Sequence, residues 1–151
     1  MDKYIGVKII KAEQINRGKF NKQKGVEIPS DDPCFNDEGY KVVYEDGYVS
    51  WSPKNVFEKA YRKFSNDKNT VTQEDVDNFI SNIEIATVGG KTTLVIVTLI
   101  NGFTITESSS CVDPANYDEK YGAEICIGKI KDKIWFLLGF LLQSGINGLN
   151  N

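Results

Sequence analysis

The sequence predicts an α+β fold, in which antiparallel β-hairpins are flanked by helices and a long C-terminal helix joins subunits. Two pairs of β-rich segments flank Asp46-Gly47 and Asn101-Gly102, and both dipeptides are typical of tight hairpin turns. A polar, turn-rich segment at residues 65–70 separates the two hairpins. A helix is expected from Tyr117 to about Gln143, and its second half is apolar on almost every side.

The charge distribution divides the chain at the same polar segment. Residues 1–70 contain 13 Lys and Arg and 11 Asp and Glu, whereas residues 71–151 contain 5 Lys and 10 Asp and Glu. The two balances, +2 and −5, give the net charge of −3. We therefore predict two modules, an N-terminal hairpin and helix module at 1–65 and a hairpin and long-helix module at 71–143.

The composition disfavours several classes of function. An acidic chain with a pI of about 5.1 is not expected to bind free DNA or RNA. The chain has no histidine, which removes the usual general base and the commonest metal ligand. Its three cysteines, Cys34, Cys111 and Cys126, form no CxxC pair, so we expect neither a zinc site nor a disulfide framework, and we expect a reducing cytoplasm.

Membrane insertion is not expected either. The longest apolar run, Ile134–Leu142, would span only about 14 Å as a helix, whereas a bilayer core is about 30 Å thick. The N-terminal segment MDKYIGVKII is charged too early for a secretory signal.

In the first module, a strand is predicted at Tyr4–Ala12 and a short helix at about Gln14–Lys22. After the hairpin at Asp46-Gly47, Ser52 is predicted as the N-cap of a second helix and Pro53 as its first residue. One face of that helix is expected to contain Val56, Ala60 and Phe64.

In the second module, Thr72 is predicted to cap a helix with an acidic first turn, and a hairpin is predicted at Gly89-Gly90. After the strand that follows Asn101-Gly102, Asp113-Pro114 should form a turn, and Asn116 with Glu119 should form a capping box. The apolar stripe of the first helix is expected to contain Val76, Ile80 and Ile83.

The C-terminal helix has one predicted apolar face, and other large apolar side chains cover most of its remaining surface. The predicted face comprises Ile125, Ile130, Ile134, Leu137, Leu138 and Leu141, and the additional residues are Trp135, Phe136, Phe140 and Leu142. Such a helix must be buried on more than one side, so we expect a homo-oligomer joined through it. Packing against the first module of the same chain is the alternative.

No catalytic constellation is evident in the sequence, and we expect no enzyme activity. Lys91 follows two glycines, but the segment lacks the first glycine of a phosphate-binding loop. Cys111 lies near a helix start but has no histidine to activate it, and Cys126 is expected in the core. A cluster of three carboxylates could bind a metal or act as acid and base: Asp113, Asp118 and Glu119. Their roles in turns and helix caps explain the cluster more simply.

Aromatic residues on the first hairpin allow two interpretations. Tyr44, Tyr48 and Trp51 alternate with polar residues, and they would either form a stacking surface or pack against the module's own helix.

The second half of the chain carries three segments in order: TLVIVTLINGFTITESSSCVDPANYD, YGAEI and KIWFLLGFLL. These segments resemble a family of small tailed-phage proteins named after coliphage gene products, over about residues 72–142. The first half carries YIGVKIIKAE, GVEIP and DEGYKVVYEDGYVSWSPKNVFEKAYR, which resemble a separate phage module found alone or fused to others. The two resemblances imply a phage or prophage gene.

The second half is also similar to the first type of phage Thoeris anti-defence protein. Those proteins are oligomeric sponges that bind a cyclic ADP-ribose isomer made by bacterial TIR enzymes, and some also hold cyclic oligonucleotides. The similarity implies a protein of the host cytoplasm that sequesters a small nucleotide-derived signal without degrading it and needs no cofactor. The alternative is a protein–protein inhibitor or adaptor that binds through the aromatic hairpin, and a nucleotide enzyme is a third, less favoured class.

The same similarity implies an aromatic ring for stacking and polar groups at a helix start for phosphate or ribose. The ligand-binding residues expected on this basis are Asn101, Phe103, Asp113, Asn116, Tyr117 and Lys129. The phage family commonly has arginine in its long helix where this chain has Ile127. A bound pyrophosphate would therefore have to be neutralised by Lys129 or Lys131, or by Arg17 and Arg62 of the first module.

Overall fold

A computed structural model describes residues 1–65 and 67–150 of the chain. The fold is α+β, as predicted, and the chain forms two compact units. The first unit contains residues 1–63 and the C-terminal segment from Gly145, and the second contains Phe64–Ser144. Asn66, within the predicted linker, lies outside the described residues.

The first unit contains a three-stranded antiparallel sheet in the order β1-β2-β3 and two short helices. Its elements are β1 (Lys11–Gln14), α1 (Arg17–Gln23), β2 (Gly39–Val43), β3 (Val49–Pro53) and α2 (Lys54–Ala60).

Two predictions for the start of the first unit need correction. The strand predicted at Tyr4–Ala12 is wrong before Lys11, because β2 ends at Val43, the residue that pairs with Lys11, and offers no partner further along. The first helix begins at Arg17, because the side chain of Asn16 accepts the N–H of Lys19 at 2.8 Å.

Helix α2 begins after Pro53, which caps it without a side-chain hydrogen bond, so the predicted Ser52 cap is wrong. The predicted face of Val56, Ala60 and Phe64 is wrong as well, because Ala60 is exposed and the helix ends before Phe64. Phe57 is the buried residue and stacks on Tyr40 with ring centroids 4.0 Å apart, whereas Val56 is exposed.

The second unit contains a three-stranded antiparallel sheet in the order β4-β5-β6, covered on one face by the long helix. Its elements are α3 (Gln73–Asn78), β4 (Ile80–Val88), β5 (Thr92–Leu99), β6 (Thr104–Ser110), a 3-10 turn (Pro114–Asn116) and α4 (Glu119–Asn147).

The predicted Thr72 cap is confirmed, and the side chain of Asp75 completes a capping box. Helix α3 nevertheless ends at Asn78, so Ile80 and Ile83 belong to β4 and the predicted stripe holds only at Val76.

The core of the second unit lies between β5 and α4. Alternate residues of β5 are buried, as expected for a strand covered on one face: Thr93, Val95, Val97 and Leu99. They pack with α4 residues at helical spacing: Ala123, Cys126, Ile130, Ile134 and Leu138.

The predicted face of α4 is therefore only partly right. Ile130, Ile134 and Leu138 are buried, whereas Leu137 and Leu141 are each more than one third exposed.

The predicted start of α4 at Tyr117 is wrong as well. Helix α4 begins at Glu119, because Asp118 Oδ1 accepts the N–H of Tyr121 at 3.1 Å, while Asn116 belongs to the 3-10 turn.

The hairpin turns are present where the dipeptides predicted them, but the Asp-Gly and Asn-Gly loops contain three residues rather than two. Gly102 N–H donates to Leu99 O at 2.9 Å, and Leu99 N–H donates to Phe103 O at 2.8 Å. The first unit has the same two bonds: Gly47 N–H donates to Tyr44 O, and Tyr44 N–H donates to Tyr48 O, each at 2.9 Å. Only the glycine of each dipeptide has positive φ, which identifies a turn followed by a bulge.

Candidate functional site

The expected ligand-binding residues fall into separate groups at opposite ends of the second sheet. Asn101 and Phe103 lie in the turn that follows β5 at Leu99. Asp113, Asn116 and Tyr117 lie in the corner after β6, and Tyr117 contacts Thr93 near the start of β5. The six residue steps from Thr93 to Leu99 correspond to about 20 Å of strand. A single chain therefore does not bring the two groups into one pocket.

The acidic residues of the corner are engaged in local structure. Asp113 Oδ1 accepts the N–H of Ala115 at 2.9 Å and so caps the 3-10 turn, as Asp118 caps α4. The carboxylate of Glu119 accepts the hydroxyl of Thr87. Within residues 1–65 and 67–150, no group of three or more Cys, Asp or Glu side chains is placed to hold a metal ion.

Tyr117 anchors the corner to the sheet through a chain of hydroxyl groups. Its hydroxyl lies 2.9 Å from Thr93 Oγ1 and 2.7 Å from Thr87 Oγ1. A hydroxyl has one proton to donate, and Thr87 donates its proton to Glu119. The bonds therefore run from Thr93 to Tyr117, then to Thr87, and end on the carboxylate of Glu119, an arrangement in which each bond polarises the next.

The two cysteines of this unit differ in environment. The thiol of Cys111 donates to the carbonyl of Asp113 at 3.0 Å, beside the corner. Cys126 is fully buried, as predicted, and burial raises the pKa of its thiol.

At the other end of the sheet, the turn exposes an aromatic ring. Asn101 Oδ1 accepts the N–H of Phe103 at 3.0 Å, so the Asn101 side chain holds the turn. The Phe103 side chain remains 55% exposed. Asn101 therefore supports the position of Phe103.

Phe103 lines a groove of about 380 Å³ between β6 and α4. The α4 wall of the groove consists of Lys133, Phe136 and Leu137, and the β6 wall consists of residues 104–106. Phe136 is 78% exposed, so two accessible aromatic side chains lie beside one lysine. We define Phe103, Lys133, Phe136 and Leu137, with Thr104, Ile105 and Thr106, as the aromatic groove.

Two lysines of α4 act on the carboxylate of Glu107 beside the aromatic groove. Lys133 Nζ pairs with the carboxylate of Glu107, and the hydrogen bond from Lys133 is the main cause that holds the pKa of Glu107 below its ordinary value. The charge of Lys129, four residues earlier on α4, also lowers the pKa of Glu107. Two lysines thus face one carboxylate, which suits a ring-bearing anion.

Sequence reasoning identified Phe103 and Lys129 but missed Lys133 and Phe136. A signal was present, since the two lysines are four residues apart and thus share one side of α4. Pairing α4 with β6 was needed to connect that side with Phe103. Lys131 was also expected to neutralise a bound phosphate. It is less available for that role, because Lys131 Nζ lies 2.8 Å from Asp77 Oδ1 of α3.

A second groove, in the first unit, carries both signs of charge. Its charged lining comprises Arg17, Asp37, Glu38, Lys54 and Glu58. Lys54 Nζ lies 2.8 Å from Glu38 Oε2, and Arg17 lies 3.9 Å from Asp37. The balance of the lining is negative, which does not favour an anionic ligand.

The aromatic residues of the first hairpin pack within their own unit. Trp51 Nε1 donates to the carbonyl of Ile15 at 3.0 Å, and the guanidinium of Arg17 lies 5.7 Å from the ring centroid. Tyr44 and Tyr48 stack on each other at 5.7 Å. Trp51 is therefore engaged in packing, while Tyr48 remains largely exposed.

Along residues 1–65 and 67–150, no helix combines the length and apolar content that crossing a bilayer requires.

Residues 71–146 match the model of the phage protein (N4 Gp49/phage Sf6 gene 66) family. No curated protein and no solved structure matches the chain. The family match covers half of the sequence, and the chain belongs to this phage family.

Proposed function

We propose that this member of the phage family binds and sequesters a cyclic nucleotide-type immune signal in the host cytoplasm without degrading it. The signal would be a cyclic ADP-ribose isomer or a cyclic oligonucleotide. The observation that carries the proposal is the aromatic groove, where Phe103 and Phe136 lie beside Lys133, with Lys129 four residues earlier on α4.

Each component of the groove suits one part of such a ligand. The exposed rings of Phe103 and Phe136 offer faces on which a base can stack, an interaction worth about 1–3 kcal/mol per base. Lys133 in the groove, together with Lys129 four residues earlier on α4, supplies positive charge for phosphate. The hydroxyls of Thr104 and Thr106 are available for ribose or phosphate oxygens.

Lysine rather than arginine would contact the phosphate in this chain. Ile127, at the position where the phage family commonly has arginine, is partly buried and packs against the core of the second unit. That position therefore stabilises the fold here. The lysines supply point charges instead of a bidentate clamp, so we expect phosphate binding that is sensitive to salt.

The protein would act as a homo-oligomer joined through α4. Phe136, Leu137, Phe140 and Leu141 form an apolar strip along the helix, and all four are exposed. A contiguous apolar strip of this kind is typical of a protein interface. Phe136 and Leu137 belong to both the strip and the aromatic groove, so a second copy packed on the strip would cover part of the groove and a bound ligand would lie at the subunit boundary.

Binding without turnover is tested by a thermal-shift panel of cyclic ADP-ribose isomers and cyclic di- and trinucleotides. A ligand at 100 times its dissociation constant should add about 2.7 kcal/mol to stability. We expect one class to raise the melting temperature and to be recovered intact. No shift from any ligand, or recovery of a cleaved product, would contradict sequestration.

Two sets of variants locate the site. Phe103→Ala and Lys133→Gln change the aromatic groove at exposed positions, and we expect each to reduce the shift strongly. Asn116→Ala changes an exposed residue of the corner, about 20 Å of strand away, and should leave the shift intact. If Asn116→Ala removed the shift while Phe103→Ala kept it, the site would lie at the corner.

The second candidate is a protein–protein inhibitor or adaptor acting through the first hairpin, and the largely exposed Tyr48 favours it. A protein partner would give no shift with the panel. Its binding would be lost in Tyr48→Ala and kept in Phe103→Ala, which is the opposite of the pattern expected for a sponge.

A further inference from the structure

Strand β4 presents a long free edge. It is the first of the three strands in the order β4-β5-β6, and within the described residues its outer edge pairs with no strand. Every residue after Ile80 is exposed. The strand contains one charged residue, Glu84, and no Lys or Pro, although these are the residues that commonly protect an edge from pairing.

The hydrogen bonds of β5 determine which β4 residues point outward. Leu99 N–H donates to Phe103 O, so the odd-numbered residues of β5 bond to β6 and the even-numbered ones face β4. Their β4 partners, such as Glu84 opposite Ile96, are therefore bonded within the sheet. The intervening residues Ile83, Ile85 and Thr87 direct their N–H and C=O groups to the free edge.

We infer that a second copy of this chain pairs with β4 in antiparallel orientation, centred on Ile85. Ile85 then lies opposite the partner subunit's Ile85, and Ile83 lies opposite the partner subunit's Thr87. Each of these pairs exchanges two backbone hydrogen bonds, so all three outward-directed residues become paired.

Charge and register favour this centre over the centres nearer the start of β4. Centring on Ile85 places Glu84 opposite the partner subunit's Ala86. Centring on Glu84 would place two carboxylates opposite each other, which is unfavourable. Centring on Ile83 would extend the pairing into the irregular register between Ile80 and Asn82.

The side chains favour the same pairing. Ile83 and Ile85 are the cross-strand partners of Val97 and Val95, which are fully buried beneath α4. Ile85 itself is 45% exposed, so a second sheet beside β4 would bury it and extend the apolar layer. A self-complementary strand of this kind specifies a copy of itself.

This edge is distinct from the apolar strip of α4, and its pairing does not depend on the proposed ligand. Two different isologous interfaces on one chain join copies into assemblies larger than a dimer. Blocking β4 alone should therefore leave dimers held by α4.

Cysteine cross-linking tests the register, in the full chain with Cys34→Ser and Cys111→Ser to remove the accessible native thiols. Residues in a hydrogen-bonded pair have Cα atoms about 5.5 Å apart, but their Cβ atoms lie farther apart than in a relaxed disulfide, so a short bifunctional thiol reagent is used. With this reagent, Ile85→Cys should form a covalent dimer. Ile83→Cys alone should not, but a mixture of Ile83→Cys and Thr87→Cys chains should.

Equal self-linking at residues 83 and 85, or no linking at any position in folded protein, would overturn the inference. Ile85→Lys gives an independent measurement by sedimentation. It should lower the mass of the assembly without changing the circular dichroism spectrum, leaving dimers where α4 joins subunits as proposed and monomers otherwise, and an unchanged mass would contradict pairing at β4. If Ile85→Cys cross-linked only to a different protein, the inference that two copies of this chain pair through β4 would likewise be overturned.

Discussion

Gly122 lies against the side chain of Thr93, so closely that a Cβ atom on residue 122 would overlap Thr93 Oγ1. The first turn of α4 therefore approaches β5 without an intervening side chain. The same Thr93 hydroxyl is hydrogen-bonded to Tyr117, so glycine at residue 122 and the hydroxyl chain jointly fix the corner on the sheet.

Gly122→Ala should destabilise the protein, because helix and strand must separate to admit the methyl group. We expect a loss of about 1–3 kcal/mol in unfolding free energy, typical of overpacking. Gly128→Ala is the matched control, since a Cβ there meets no atom within 4 Å and alanine is the better helix former. Chemical denaturation should give opposite signs for the two variants, and equal signs would contradict the close approach.

Tyr117→Phe should remove the middle of the hydroxyl chain and cost about 1 kcal/mol per lost hydrogen bond. Tyr121→Phe is the control, because the Tyr121 side chain is exposed. Thermal unfolding of both variants checks the effect. If Tyr117→Phe were as stable as the control, the hydroxyl chain would contribute nothing to stability.

Asp75 should make stability depend on pH. Burial alone would raise the pKa of Asp75, but hydrogen bonds from Ser65 and Thr72 outweigh burial and hold the pKa below its usual value of 3.8. A lowered pKa stabilises the fold above pH 3.8, and the contribution is lost as the pH falls through the folded-state value.

Asp75→Asn should therefore cost about 1.5–3 kcal/mol at pH 7, the range for hydrogen bonds to a charged group. The difference from wild type should shrink as the pH falls below the usual Asp pKa. Glu74→Gln, an exposed change in the same turn, provides the control. Urea unfolding at several pH values measures both, and a difference that did not vary with pH would rule out the ionised cap.

Phe136→Ser with Phe140→Ser should reduce the size of the oligomer without unfolding the chain, because both side chains are exposed. Sedimentation measures the mass, and Val112→Ser, an exposed apolar change outside α4, is the control. A mass equal to that of wild type would show that the apolar strip joins no subunits.

Local signals predicted those features that neighbouring residues determine. Asn101-Gly102 and Thr72 carry their own turn and cap chemistry, and both lie where expected. The start of α4 was less determined, because Asn116 and Asp118 are both good caps, and the hydroxyl chain around Tyr117 places the first turn after Asp118.

The groove depended on tertiary pairing. Nothing in the sequence places Phe103 and Phe136 at one groove, since that arrangement requires α4 to lie beside β6. The separation of Phe103 from Tyr117 also depends on tertiary structure, because the two residues lie at opposite ends of β5.

The most direct test of the proposed function is to incubate the purified protein with a cyclic ADP-ribose isomer or a cyclic trinucleotide, remove free ligand, and denature the protein by heat. We predict that one of these compounds is retained, is released intact on heating, and is no longer retained by Phe103→Ala. Release of a cleaved product, or retention of neither compound by the folded protein, would contradict sequestration.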